Sequence, residues 1–174
     1  HGDHTDPETI ERLRIKETAQ FVGPHPTCEV YRRKGIPEER IQAAWREAPI
    51  AWLSGVRRSG KTTLARELGD DQILYLNCDL PAAEDMVRDP ALFYRNCHQP
   101  RVVFDEIHQL RDPSRVLKIG ADKFPKLRIL ATGSSTLAAS KKFRDTLTGR
   151  KRQIHLTPVL NAELHDHVDQ QIQQ

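Results

Sequence analysis

The sequence predicts an α/β protein with three layers, in which helices cover both faces of a parallel β-sheet. Short apolar runs, typical of strands buried on both faces, alternate with helical patterns along the chain. A glycine-rich segment follows the first of these runs and leads into a helical pattern. Two later runs end in polar residues, and open α/β sheets bind ligands at the carboxyl ends of their strands. The pattern therefore predicts a ligand site along one edge of the sheet.

The glycine-rich segment, residues 55–62, reads Gly-Val-Arg-Arg-Ser-Gly-Lys-Thr and fits the P-loop pattern G-x-x-x-x-G-K-[ST]. It follows a strand predicted over residues 49–53 and begins a helix predicted over residues 62–68. Glycines allow close approach to phosphate, and N–H groups at a helix N-terminus form an anion-binding nest. The predicted nucleotide-binding residues are Gly55, Val56, Arg57, Arg58, Ser59, Gly60, Lys61, Thr62 and Thr63.

Two residues of this loop have specific predicted roles. Lys61 is expected to reach the β- and γ-phosphates, and the Thr62 hydroxyl is expected to be a ligand of Mg²⁺. The alternative is a glycine-rich turn that precedes a helix by chance, but the strand and helix on either side favour the P-loop. Arg57 is either a phosphate or partner contact, or a solvated loop charge.

A second motif is the apolar run 101–104 followed by Asp105 and Glu106. Asp105 is expected to hold Mg²⁺, directly or through a water, and Glu106 to orient and polarise the attacking water of NTP hydrolysis. The alternative is a strand that ends in a charged turn. Small-molecule kinases need no water-activating glutamate, and the guanine-reading Asn-Lys-x-Asp motif of GTPases does not occur in the sequence. An ATP hydrolase with an additional strand between the P-loop strand and the Asp-Glu strand fits best.

The third motif lies at the end of the strand predicted within residues 126–132, where Gly133, Ser134 and Ser135 follow Thr132. Ser134 is the candidate sensor that hydrogen-bonds the γ-phosphate or the attacking water, and Thr132 and Ser135 are alternatives. The same segment can form a turn and a helix N-cap, which is compatible with a sensor.

These motifs together carry a family resemblance. They occur in the order GxRxxGKTTL at 55–64, DEIH at 105–108, TGSS at 132–135, LTGR at 147–150 and LTPVL at 156–160. Over residues 45–164 the chain resembles a large group of mostly uncharacterised bacterial and archaeal AAA-like ATPases. The resemblance implies an ATP-binding core of the additional-strand type with strand order 5-1-4-3-2. It also implies a C-terminal domain, which this chain does not include, and leaves assembly into a homo-oligomer open.

The resemblance also gives hypotheses for single residues. Arg150 precedes the predicted last strand and is either an arginine finger, acting on the γ-phosphate in cis or from a neighbouring subunit, or a basic loop residue. Asn77 ends the strand predicted over 72–77 and is either a turn residue or a group that restrains Glu106. His108 is expected at the surface or beside the site rather than as a catalytic base, because Glu106 already fills that role.

The chain divides into three predicted parts, namely an N-terminal helical extension over 1–36, a P-loop ATPase core over 37–164 and a polar tail over 165–174. Within the core, helices are expected over 37–48, over 81–97 with an interruption at Pro90, and from Asp112 to Ile119. The helix over 37–48 is expected to bury Ile41, Ala44 and Trp45. Because the chain begins at His1 rather than methionine, we expect it to be a cut or processed piece.

Composition limits the remaining function classes. The 27 basic and 24 acidic residues give a net charge of +3, too mild to argue for nucleic-acid binding. The basic clusters at 32–34 and 150–152 are expected to be solvated faces, with a nucleic-acid contact as the weaker alternative. Three irregularly spaced cysteines predict neither a disulfide framework nor a zinc site. With no membrane-length apolar run and no visible signal peptide, a cytoplasmic location is expected.

The sequence thus predicts Mg²⁺-dependent binding and hydrolysis of ATP, with the energy driving a conformational change in an attached domain or a protein partner. Two alternatives stay open. One is a nucleotide-gated binding switch with little turnover, and the other is a DNA-acting motor or loader, whose DNA affinity would fall steeply with salt.

Overall fold

The computed structural model describes residues 36–55 and 72–156. In chain order the elements are α1 (Ile36–Glu47), β1 (Ile50–Gly55), β2 (Ile73–Asn77), α2 (Pro81–Met86), α3 (Pro90–Asn96), β3 (Arg101–Asp105), a 3₁₀ turn (Ile107–Gln109), α4 (Pro113–Lys123), β4 (Arg128–Thr132), α5 (Ser135–Ala139), α6 (Lys141–Thr146) and β5 (Lys151–Leu156). The N-terminal extension up to residue 35, the phosphate-binding residues 56–63, the helix predicted to follow them and the C-terminal tail lie outside the described residues.

The five strands form one parallel sheet in the order β2-β3-β4-β1-β5. Read from β5 to β2, this is the predicted order 5-1-4-3-2, so the predicted fold is confirmed. The additional strand is β4, which pairs with β1 on one side and with β3 on the other. Because all strands run the same way, their carboxyl ends lie at the same end of the sheet. We call this end the carboxyl edge, and the opposite end, where the strands begin, the amino edge.

Strands β1 to β4 are buried on both faces, which explains their unbroken apolar runs in the sequence. The edge strand β5 differs, because it buries Ile154 and exposes Arg152, Gln153 and His155. Ile50 and Trp52 of β1 face a core that is closed by α2, α3, α4 and α6. Ala51 and Leu53, one residue out of phase, face a second core that α1 covers. In α1, Ile41, Ala44 and Trp45 are buried as predicted.

Local capping signals set several helix starts. Asp89 and Asp112 each accept a hydrogen bond from the backbone three residues on, and a proline follows each of them in the first turn of α3 and α4. The predicted break at Pro90 is therefore confirmed, and the helix that begins after Asp112 extends to Lys123. Helix α6, whose N-cap is Ser140, was not predicted separately from the sequence.

No helix in residues 36–55 or 72–156 combines the length and the apolar character needed to cross a bilayer.

Candidate functional site

Asp105 lies at the carboxyl end of β3 and is almost fully buried, with 1% of its surface exposed. The Tyr75 hydroxyl on β2 donates to its Oδ2 at 2.6 Å, and the Thr132 hydroxyl on β4 donates to its Oδ1 at 2.8 Å. Both neighbouring strands thus fix the orientation of this carboxylate.

Thr132 is the side chain that connects the two acidic residues. Its fully buried hydroxyl donates to Asp105 and accepts a hydrogen bond from the backbone N–H of Glu106 at 2.9 Å. A single hydroxyl therefore fixes both the Asp105 carboxylate and the start of the turn after β3. The sequence marked Thr132 only as an alternative sensor. Its position at the end of a strand next to β3 is the signal that would have indicated this link.

Glu106 has left-handed backbone angles, φ 57° and ψ 47°, at the point where β3 ends and the 3₁₀ turn begins. Among the described residues it is the one non-glycine with positive φ. This conformation is unfavourable for a residue with a Cβ, so its surroundings must hold it there. The hydrogen bond from its N–H to Thr132 is one such constraint. The side chain is partly exposed, and its Oε2 lies 3.3 Å from Nδ1 of His108.

His108 lies beside the two acidic residues. Its Nδ1 lies 3.3 Å from the Glu106 carboxylate and also accepts a hydrogen bond from the backbone N–H of Ser134 at 3.2 Å. The ring therefore bridges the turn after β3 and the loop after β4. The sequence left two positions open for His108, at the surface or beside the site. Its contact with Glu106, the proposed catalytic group, corresponds to the second.

Two other predicted residues have local structural roles. The Ser134 hydroxyl accepts from Leu137 N at 3.2 Å and caps α5, so the N-cap prediction is confirmed, while its sensor role stays a prediction. The Asn77 side chain accepts from Asp79 N at 3.1 Å, which is the strand-end turn that the sequence left as one alternative. Ser135 is the first residue of α5.

The P-loop segment continues directly from this edge. Gly55 is the last residue of β1, and β1 pairs with β4 so that Leu53 is opposite Thr132. Thr132 therefore lies between the end of β1 and Asp105. Lys61, Thr62 and the other predicted phosphate-binding residues beyond Gly55 lie outside the described residues.

Arg150 lies at the amino edge of the sheet, at the end opposite to Asp105. Its carbonyl accepts from Ile50 N at 3.1 Å, just before β5 begins. Six strand residues at about 3.3 Å each separate it from the carboxyl edge, roughly 20 Å in all. The structure thus does not bring Arg150 to Asp105 and Glu106 of the same chain. This placement argues against the alternative in cis, and the neighbouring-subunit and basic-loop alternatives both stay open.

The Arg150 guanidinium makes a bidentate pair with Asp122 at the end of α4, with Nε–Oδ1 at 2.6 Å and Nη2–Oδ2 at 3.0 Å. It also donates to the Thr146 carbonyl at 3.1 Å. The hydrogen bond from Arg150 holds the pKa of Asp122 below its ordinary value. The guanidinium is thus held in a defined orientation at the surface.

The Cys78 thiol lies buried beside the site. Cys78 N donates to the Asp105 carbonyl at 2.9 Å. Burial first, and then the nearby charges of Asp105 and Asp79, raise the pKa of the Cys78 thiol well above its ordinary value. Because the thiolate is the reactive form, Cys78 does not supply a nucleophile here.

Within the described ranges, no group of three or more His, Cys, Asp or Glu side chains is arranged to hold a metal ion. Asp105 is nevertheless suited to one, because carboxylate oxygens are the ligands that Mg²⁺ prefers. Mg²⁺ bound with a phosphate substrate is usually held by one or two protein carboxylates, and the substrate phosphates supply further ligands.

Comparisons with known proteins are consistent with this geometry. A family model described as an AAA domain matches residues 47–165. The fold is similar to the crystal structure of a DNA replication initiation factor, with 11% identity, a TM-score of 0.53, and coverage of 78% of this chain and 48% of that one. It is also similar to the Orc1 protein of Aeropyrum pernix, solved in complex with DNA, with 17% identity, a TM-score of 0.52, and coverage of 93% and 53%.

At these identities the two structures show a shared fold. The chain spans about half the length of each of them. No curated protein sequence matches it.

Proposed function

The chain belongs to the AAA domain family of P-loop ATPases, and from this premise we propose that it binds ATP with Mg²⁺, hydrolyses it, and couples the nucleotide state to an attached domain or a partner. The observation that carries the proposal is the group formed by Asp105, Glu106 and Thr132. It lies at the carboxyl edge of the sheet, next to the strand that leads into the P-loop sequence. We take residues 37–164 as the core that performs this activity.

The P-loop residues 55–63 would hold the phosphates, and Lys61 would neutralise charge that develops on them. Thr62 and Asp105 would hold Mg²⁺. Support for the second ligand comes from the buried Asp105 carboxylate, which Tyr75 and Thr132 orient at the carboxyl end of β3. When bound, the ion supplies positive charge to the phosphate oxygens.

Glu106 would orient the attacking water and accept its proton. The water would attack in line with the bond that breaks, as is general for phosphoryl transfer. The rigid part of this arrangement is the backbone, because the Glu106 N–H is bound to the buried Thr132 hydroxyl. The partly exposed Glu106 side chain keeps access to solvent and substrate. Ser134, in the next loop, would sense the γ-phosphate.

Arg150 would act on the nucleotide of a neighbouring copy in a homo-oligomer. Its distance from Asp105 and Glu106 along β5 supports a role between subunits, and the bidentate pair with Asp122 keeps the guanidinium in one orientation. Arginine fingers stabilise the charge of the transition state in this way.

The decisive experiment measures steady-state ATP hydrolysis with Mg²⁺ and nucleotide affinity for wild type, Glu106→Gln and Lys61→Ala. Glu106→Gln is expected to lose about 100-fold or more in rate while ATP still binds, and Lys61→Ala is expected to lose affinity. ATP binding without turnover in wild type would instead indicate the nucleotide-gated switch. Hydrolysis stimulated by DNA would indicate the motor or loader, and an absence of nucleotide binding would overturn the P-loop assignment.

A further inference from the structure

One ring nitrogen of His108 has two competing partners. Its Nδ1 lies 3.3 Å from Glu106 Oε2 and 3.2 Å from Ser134 N. In a neutral imidazole, a nitrogen either carries a proton and donates, or has a lone pair and accepts. Nδ1 can therefore donate to Glu106 or accept from Ser134, but not both at once.

The two partners belong to different motifs of the site. Glu106 is the proposed water-positioning group, and Ser134 lies in the loop after β4 where the γ-phosphate sensor is proposed. His108 is in the 3₁₀ turn immediately after Glu106. The His108 and Glu106 side chains are 26% and 28% exposed, so the contact is shielded from solvent over most of its surface.

The family resemblance suggested Asn77 as one candidate for restraining Glu106. Its amide oxygen accepts a hydrogen bond from Asp79 N in the turn after β2. Among the described residues, His108 is the side chain that makes a polar contact with the Glu106 carboxylate. Among the described residues, the polar side-chain contact of the Glu106 carboxylate is thus with its own turn and not with the end of β2.

We propose that His108 is a positioning residue that links the orientation of the Glu106 carboxylate to the Ser134 loop. With the proton on Nδ1, the ring donates to Glu106 and holds it. When the Ser134 N–H occupies Nδ1, the ring proton is on Nε2, and Glu106 is released toward the attacking water. The change is an exchange of tautomers, in which Nδ1 gives one proton to water and Nε2 takes one from water, so the number of protons on the ring is unchanged. This inference rests on the proposed function of Glu106.

The test compares His108→Asn with His108→Gln. The asparagine amide lies near the position of Nδ1, whereas the longer glutamine places its amide near that of Nε2. The expected result is a kcat within about threefold of wild type for His108→Asn and a change of about tenfold or more for His108→Gln. ATP affinity should stay within about twofold in both, because His108 acts through Glu106.

His98→Gln provides the matched control, since His98 is an exposed histidine outside the site, and its kcat should equal that of wild type. Equal kcat values for His108→Asn and His108→Gln would overturn the proposal. So would a parallel loss of ATP affinity, which would indicate a binding or structural role.

A second measurement works without turnover. The ¹⁵N signals of the His108 ring show which nitrogen carries the proton, and they should change between wild type and Glu106→Gln, with the proton more often on Nε2 in the variant. Ring signals that are identical in the two proteins would overturn the proposal. This measurement uses the nucleotide-free chain, so its result does not depend on ATP binding. The proposed function has its own test, because it fails if ATP does not bind.

Discussion

The two edges of the sheet hold their polar side chains in opposite ways. At the carboxyl edge, the buried Asp105 carboxylate is fixed by neutral hydroxyls of Tyr75 and Thr132. At the amino edge, Arg150 and Asp122 form an ion pair with 31% and 39% of their side chains exposed. A buried polar group costs free energy when it loses its partner, whereas an exposed pair exchanges its partner for water. We therefore expect the carboxyl edge to carry stability and the amino edge to remain available for exchange.

The largest effect is expected for Thr132→Val, which keeps the shape of the side chain but removes its hydroxyl. Asp105 loses a donor and the Glu106 N–H loses its acceptor, so the free energy of unfolding should fall by about 2–4 kcal/mol. Urea unfolding measures this change. Thr132→Ser is the control, because it keeps the hydroxyl and should cost only about 1 kcal/mol for the lost methyl group. Equal losses in both variants would show that packing, not hydrogen bonding, dominates at this edge.

A second comparison adds a methyl group at each edge. In Gly133→Ala, the new Cβ would lie 2.6 Å from Cη2 of the fully buried Trp52, so overpacking should cost about 1–3 kcal/mol. Gly149, before β5, has open space around it but a φ of +75°. Gly149→Ala should therefore cost only the conformational penalty of about 1 kcal/mol. Thermal unfolding of both variants gives the ranking, and a larger loss for Gly149→Ala would reverse the comparison of the two edges.

The left-handed backbone of Glu106 should be measurable as a difference between two variants that both remove its carboxylate. Glu106→Gly allows this conformation freely, whereas Glu106→Ala retains its steric cost. We expect Glu106→Gly to be the more stable of the two by about 1 kcal/mol in urea unfolding. If Glu106→Ala is equally stable, the turn relaxes when the side chain is removed and stores no strain.

The smallest effect is expected at the amino edge. Because Arg150 lowers the pKa of Asp122 in the folded chain, the pair stabilises the fold above the ordinary pKa of an aspartate. That contribution is lost as the pH falls through the pKa of Asp122 in the folded chain, which lies below the ordinary value of 3.8. Wild type should exceed Asp122→Asn by about 0.2–1 kcal/mol at pH 7, since the pair is exposed. The gap should close in acid, and a gap independent of pH would show that the pair does not stabilise the subunit.

The sequence predicted the elements that place the site, and the reasons are local. Apolar runs predicted β1 to β4, and Asp-Pro pairs predicted helix starts. The Asp105-Glu106 pair was predicted at the end of a strand, where open α/β sheets bind ligands. The strand order came from the resemblance to AAA-like ATPases, because spacing alone does not determine which strands become neighbours.

Side-chain partners were not predictable in the same way. The Thr132 hydroxyl meets Asp105 only because β4 lies beside β3, and Arg150 meets Asp122 only because α4 ends at the amino edge. The contact of His108 with Glu106 follows from the left-handed turn between them, which a sequence pattern does not indicate for a glutamate.

Trp52 gives the molecule an optical reporter beside its site. Within the described residues its indole N–H has no hydrogen-bond partner, and the ring packs against Phe143 with 4.8 Å between centroids. Trp45, in contrast, donates its indole N–H to the Ile129 carbonyl at 2.8 Å. An indole in an apolar site without a hydrogen bond fluoresces at shorter wavelength than a hydrogen-bonded one. Because Gly133 is next to the Trp52 ring, a shift of the blue edge of the emission spectrum on adding nucleotide would report movement of the loop after β4.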